Sequence, residues 1–162
     1  MSTYKIRAGA GIEGLTLTEV PSRALAPHEV RVRVHAVSLN YRDLMVAKGT
    51  YLVSSDEPVV PTSDAAGEII EVGKSVTRFK TGDRVITTFF PNWIDGEPTA
   101  AKTSFPFGAG ADGLLAKEVA LDEAALVAIP DSLGYSEAAT LSCAGLTAWT
   151  ALFWEANLKP GD

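Results

Sequence analysis

Four consecutive side chains, Asn40-Tyr41-Arg42-Asp43, bring an amide, a phenol, a guanidinium and a carboxylate to one place in the chain. An amide carries a donor and an acceptor and suits a carbonyl or carboxamide, while a guanidinium offers a fixed fork of donors to a phosphate or carboxylate. Tyr41 and Tyr51 add phenolic hydroxyls able to donate to a developing oxyanion. Each group also has a plainer use. Asn40 can cap a helix, Asp43 three residues on can complete a capping box, Arg42 can be a solvated first-turn residue, and the tyrosines can be packed rings. A second cluster, Ser142-Cys143-Ala144-Gly145-Leu146-Thr147, sets Cys143 and Thr147 four residues apart, on one face if the segment is helical. Cys143 as nucleophile or metal ligand needs a partner, and nothing in the sequence ties His28 or His35 to it. Its small apolar neighbours read instead as the setting of a buried, inert thiol, and His35 reads as exposed.

The first cluster follows a strand signal. Glu29-Val30-Arg31-Val32-Arg33-Val34 alternates with period two, placing Val30, Val32 and Val34 on one face of a half-buried strand. A helix then runs from the Asn40 cap through Leu44 to Ala47 and stops at Gly49, which can take a left-handed terminus. Upstream, residues 4–20 read as a hairpin with Ile6, Leu15 and Leu17 toward the core. Downstream, residues 65–73, 84–87, 114–119 and 126–129 have strand composition. Between them, residues 90–113 form a long ordered loop whose aromatic rings argue against a disordered linker. Residues 136–141 and 146–155 have helical patterns. Many short strands with glycine turns favour a small β-barrel over a parallel sheet. The expected division is a barrel over residues 1–130 and a helical segment over 131–162. The closing Lys159-Pro160-Gly161-Asp162 is a turn signal that reads as a boundary ahead of a further element.

Composition removes several classes of partner. In 162 residues, 14 Lys and Arg stand against 20 Asp and Glu, a formal net charge of -6. That leaves no basic footprint for nucleic acid. No apolar run approaches the roughly 18 residues of a membrane span. A single cysteine makes no internal disulfide and no four-cysteine zinc loop, and a chain without a signal-like start is expected in the cytoplasm. GxxxxGK[ST] does not occur, and the GxGxxG spacings at Gly9 to Gly14 and at Gly108 to Gly113 lie in a hairpin and a long loop, without the strand before and helix after that would make such glycines a phosphate cradle.

Four segments in order, Val37 to Asp43, Asp64 to Gly73, Phe79 to Val85 and Ala138 to Trp149, resemble the N-terminal domain of the medium-chain dehydrogenase/reductase superfamily, in its zinc-independent, quinone-oxidoreductase-like branch. The resemblance implies a mainly β fold: a GroES-like, partly open β-barrel with short helices, which in full-length relatives covers the cleft of a following Rossmann domain that this chain lacks. Zinc-dependent relatives hold cysteine where Asn40 stands, histidine where Ser63 stands and a further cysteine at Cys143, so the resemblance implies no zinc here. It sets Asn40 near substrate and nicotinamide, Tyr51 on a pocket tyrosine, Tyr41 toward the cofactor pyrophosphate and Thr147 beside the nicotinamide. Met45 stands where another pocket tyrosine is expected. Arg42 replaces a proton-relaying hydroxyl, a relay that a permanently protonated guanidinium does not provide. The implied activity of the full-length parent is hydride transfer between NADP(H) or NAD(H) and a carbonyl, an alcohol or an activated alkene. The isolated chain is expected to be inactive and to hold no cofactor tightly, its partners being the Rossmann domain, a small-molecule substrate and, in the parent, a second copy. A non-enzymatic GroES-like interaction or scaffold module is the alternative.

Overall fold

The valine-rich segment forms the longest strand, β3 (Glu29–Ser38), because its alternation lets Val30 and Val32 enter the core while its backbone pairs with β4 along its length and with β6 over Glu29 to Arg33. The computed structural model describes residues 1–51, 57–159 and 161. Pro160 and Asp162 of the expected terminal turn lie outside the described residues. β1 (Ser2–Lys5) and β2 (Thr16–Glu19) make an antiparallel pair. The main sheet has five antiparallel strands in the order β6-β3-β4-β5-β7, with β4 Asp64–Val72, β5 Arg84–Thr87, β6 Glu118–Asp122 and β7 Leu126–Ala128. The sheet stays open, as a partly open GroES-like barrel does.

Val30, Val32, Ile69, Val85, Leu114 and Leu126 form the main core, and Phe107 from the long loop closes it. Ile6 is buried as expected. Leu17, expected to face the core, is instead 60% exposed, because the β1–β2 pair contributes Thr3 and Ile6 to the interior and turns Leu17 outward. The strand expected over 114–119 begins only at Glu118; Leu114 is buried in the core as loop, its N–H donating to the Pro61 and Thr62 carbonyls. The long loop carries one short helix, α2 (Ala100–Thr103), capped by the Thr99 side chain.

The helix after β3 is α1 (Tyr41–Ala47), and Gly49 ends it with φ 70. After β7, α3 (Tyr135–Ala138) packs Ala138 against Ala66 and Ile129. The remaining helical run is wider than an α-helix at both ends: Leu141–Gly145 and Thr150–Glu155 wind as π-helix around the α-helical α4 (Leu146–Trp149). Among the described residues no helix is long and apolar enough to cross a membrane.

Candidate active site

The ladder that pairs Ser38 with Asp64 ends beside the first turn of α1, so Asn40 and Asp64 meet although 24 residues separate them. Asn40 Nδ2 donates to Asp64 Oδ2 at 3.1 Å, and Ser63 Oγ donates to Asp64 Oδ1 at 2.7 Å. Ser63 and Asp64 are wholly buried. The Asn40 backbone N–H donates to Asp43 Oδ2 at 2.8 Å, which is the reciprocal half of the capping box read from the spacing. Asn40 is thus held by its backbone and by its amide.

The Thr62 backbone N–H also lies near the Asp43 carboxyl and acts to lower its pKa. Burial is the largest influence on its carboxyl and pushes its pKa up, against the lowering effect of the Asn40 hydrogen bond and of the Arg42 charge. Arg42 is not the solvated side chain that its place in a first turn allows. It is 8% exposed, its Nη2 donates to the Phe107 carbonyl at 2.6 Å, and its guanidinium lies over the rings of Phe89 at 4.7 Å and Tyr51 at 5.5 Å.

A hydrogen-bonded path leads from Asp64 to a cavity. Thr87 Oγ1 donates to the Ser63 carbonyl at 3.2 Å and accepts from the Ala65 N–H at 3.2 Å, and Ser142 Oγ donates to the Thr87 carbonyl at 2.5 Å. The cavity beyond Thr87 has a volume of about 620 Å³ and lies between the chain after β5 and the π-helical run. Phe89, Trp93, Ile94 and Leu146 make much of its wall, Cys143 and Thr147 share it, and among the described residues no lining side chain is charged. The four-residue spacing did place Cys143 and Thr147 on one face. The wide turn around Cys143, closed by Gly145 N–H to the Thr140 carbonyl at 3.1 Å, sets that face toward the cavity.

The remaining predicted residues lie to one side. Asn40, Tyr41 and Tyr51 do not line the cavity. Tyr51 reaches it through the Arg42–Phe89 stack, Asn40 through Asp64, Ser63 and Thr87, and the Tyr41 ring is 75% exposed. Cys143 is half-buried rather than fully enclosed. Burial first, then the Asp64 charge, raise its thiol pKa, so it is a neutral thiol at pH 7. Asn40, Ser63 and Cys143 therefore present an amide, a hydroxyl and a protonated thiol. Among the described residues no group of three or more His, Cys, Asp or Glu side chains is placed to hold a metal. Sequence reasoning missed Asp64 as the partner of Asn40 and Phe89 as the partner of Arg42. Their only signal is position, one at the start and one just past the end of neighbouring strands.

The alcohol dehydrogenase GroES-like domain matches residues 26–131. This chain belongs to that family. It is 47% identical over 146 residues to a zinc-type alcohol dehydrogenase-like protein of Schizosaccharomyces pombe, an overlap of 89% of this chain and 42% of that protein. Its fold superposes on a candidate alcohol dehydrogenase from Sinorhizobium meliloti 1021 with a TM-score of 0.86 and 42% identity, over 100% of this chain and 49% of the other. A quinone oxidoreductase of Pseudomonas syringae gives a TM-score of 0.75 at 30% identity, over 99% and 43%. The chain spans about half the length of the relatives it matches. It is an N-terminal, GroES-like domain of the medium-chain dehydrogenase/reductase superfamily, related to both its zinc-type and its quinone-oxidoreductase-like members.

Proposed function

We propose that this domain is the substrate-side half of a zinc-independent, NAD(P)-dependent oxidoreductase acting on a neutral, apolar carbonyl, alcohol or activated alkene such as a quinone or enone. The observation that carries this reading is the cavity: about 620 Å³, aromatic and aliphatic, without a charged side chain among its described lining residues, and hydrogen-bonded through Thr87 to the Asn40–Asp64–Ser63 group. Such a wall accepts a hydrophobic acceptor and disfavours a charged one.

Bound nicotinamide, as NADP(H) or NAD(H), supplies or takes the hydride. Thr147, exposed on the cavity wall, and the exposed ring of Tyr41 are the side chains of this domain that would touch it. Asn40 gives one Nδ2 hydrogen to Asp64 and retains a second, which would orient the substrate oxygen or the carboxamide. Tyr51, which does not line the cavity itself, would donate a hydrogen bond or a proton to that oxygen from beyond it, next to Arg42. The phosphate-binding half of the cofactor site would come from a Rossmann domain, and a homodimer of the complete enzyme fits the same reading.

Titration of the 162-residue chain with NADH and NADPH is expected to show weak binding and no turnover. Joined to a Rossmann domain of the family, it is expected to turn over an enone or a quinone faster than a simple alcohol. Robust NADPH turnover by the 162 residues alone would overturn the need for a second domain. Failure of the joined protein on all three substrate classes would overturn the enzyme. The exposed apolar residues of the last helical run favour a second reading, a non-enzymatic interaction or scaffold module, which would appear as a stable complex indifferent to nicotinamide.

A further inference from the structure

Four buried side-chain atoms among the described residues have no hydrogen-bond partner: Arg42 Nε, Arg42 Nη1, Asp43 Oδ1 and Thr62 Oγ1. They are neighbours. Arg42 Nη2 lies 4.0 Å from Asp43 Oδ1, and the Thr62 N–H is close enough to the Asp43 carboxyl to exert a lowering effect on its pKa. A single orphaned polar atom is costly, and four in one place would consume a large share of a domain's stability.

The set specifies its ligand. Two guanidinium nitrogens, with three hydrogens between them, and a hydroxyl ask for acceptors, whereas a carboxylate oxygen asks for a donor. An anion would meet the Asp43 carboxylate, and a cation would meet the Arg42 guanidinium. Small neutral molecules that both donate and accept can satisfy all four. The backbone cannot relax to remove the need. Thr62 is a β-branched residue held at φ 71, where such residues are rare, and Gly113 packs so closely that a Cβ there would lie 2.2 Å from the Thr62 carbonyl oxygen.

We propose that Arg42, Asp43 and Thr62 enclose a resident internal water site, bridging Thr62 Oγ1 and Asp43 Oδ1 to the free guanidinium hydrogens. Its consequence lies at the cavity. The bridged guanidinium is a fixed cation between the Tyr51 and Phe89 rings, and Phe89 is a cavity wall, so the water holds that wall in place from behind.

The test is water–protein cross-relaxation by NMR on the 162-residue chain, with Thr62→Val and Thr62→Ser beside it. Valine has nearly the shape of threonine and the same backbone strain, but no hydroxyl. The native chain and Thr62→Ser are expected to show long-lived water cross-peaks at the Arg42 Nε–H and at residue 62. Thr62→Val is expected to lower the melting temperature and to lose the residue-62 cross-peak. A resolved Arg42 Nε–H without a water cross-peak in the native chain would overturn the site. So would a higher melting temperature for Thr62→Val, because removing a dry, unpaired hydroxyl stabilises. Should Thr62→Val fail to fold, the native and Thr62→Ser spectra decide alone. None of these readouts depends on the proposed enzyme activity.

Discussion

Asn40 is the residue on which the polar network turns, and its substitution separates structural support from charge. Asn40→Ala takes the Nδ2 donor from a wholly buried carboxylate, and leaving Asp64 Oδ2 short of a partner is expected to cost about 1–3 kcal/mol in denaturant unfolding. Asn40→Asp keeps the shape but faces one carboxylate with another, so it is expected to cost more, with the excess shrinking as pH falls and one of the pair protonates. Asp43 gives a second pH test. Burial raises its folded pKa, so between the unfolded value near 4 and the raised one the folded state holds more protons than the unfolded state, and this group's contribution to stability falls as pH rises through that window. Glu29, held low by Arg23, and Asp83, held low by Lys80, tilt the profile the other way. The comparison must therefore be with Asp43→Asn, which removes only the Asp43 slope. Unfolding free energies from pH 4 to 7 are expected to decline for the native chain relative to Asp43→Asn. The Asn40–Asp43 relation was legible in the sequence because both partners lie within one helical turn. The Asn40–Asp64 and Arg42–Phe107 bonds were not, since they join positions 24 and 65 residues apart and depend on strand register and loop path.

Strand register is what the element scale contributes, and Gly67 guards it. β4 passes so close to β3 that a Cβ on Gly67 would lie 2.2 Å from the Arg33 carbonyl oxygen, beside the bulge between Val34 and Ala36. Gly67→Ala must part the two strands, and overpacking of this kind is expected to cost about 1–3 kcal/mol in thermal or denaturant melts. The same displacement would disturb the Ser38–Asp64 pair downstream, so the Asn40 side-chain amide resonances are expected to shift with it. The strands themselves were plain in the sequence wherever two-residue alternation ran long, as in β3, or where β-branched and apolar residues lay between glycines, as in β4. Reading failed where pattern and partner disagreed. Leu17 has the residue type and spacing of a core position, yet its narrow two-stranded ribbon has too little cover to bury it, and Leu114 reaches the core with loop backbone whose hydrogen bonds go to Pro61 and Thr62. Arg31, on the charged side of β3, is buried because Glu71 and the Arg23 carbonyl pair it at 2.8 Å and 2.7 Å, a compensation that alternation cannot express.

For the whole molecule, the decisive asymmetry is between the sheet and the last helical run. The core accounts for β3 to β7 and α3, but Leu146, Trp149, Phe153 and Trp154 stand outside it, with Trp154 81% exposed. Helical order there comes from local bonds and from contacts such as the Trp149–Phe153 ring pair at 4.5 Å, rather than from burial against the sheet. A surface that contributes little to folding can be changed at little cost. Trp154→Gln is therefore expected to leave the unfolding free energy within about 0.5 kcal/mol of the native value. The same substitution should reduce binding of an environment-sensitive apolar dye, since one large exposed ring is removed from the surface of the helical run. A loss of several kcal/mol would show instead that Trp154 packs against the domain in solution. Leu146 tests the join between this face and the cavity, because it is 60% exposed and also lines the cavity wall. A partner laid over Leu146 would therefore also bound the cavity, and on the proposed reading the space beside Thr147 would be enclosed from that side.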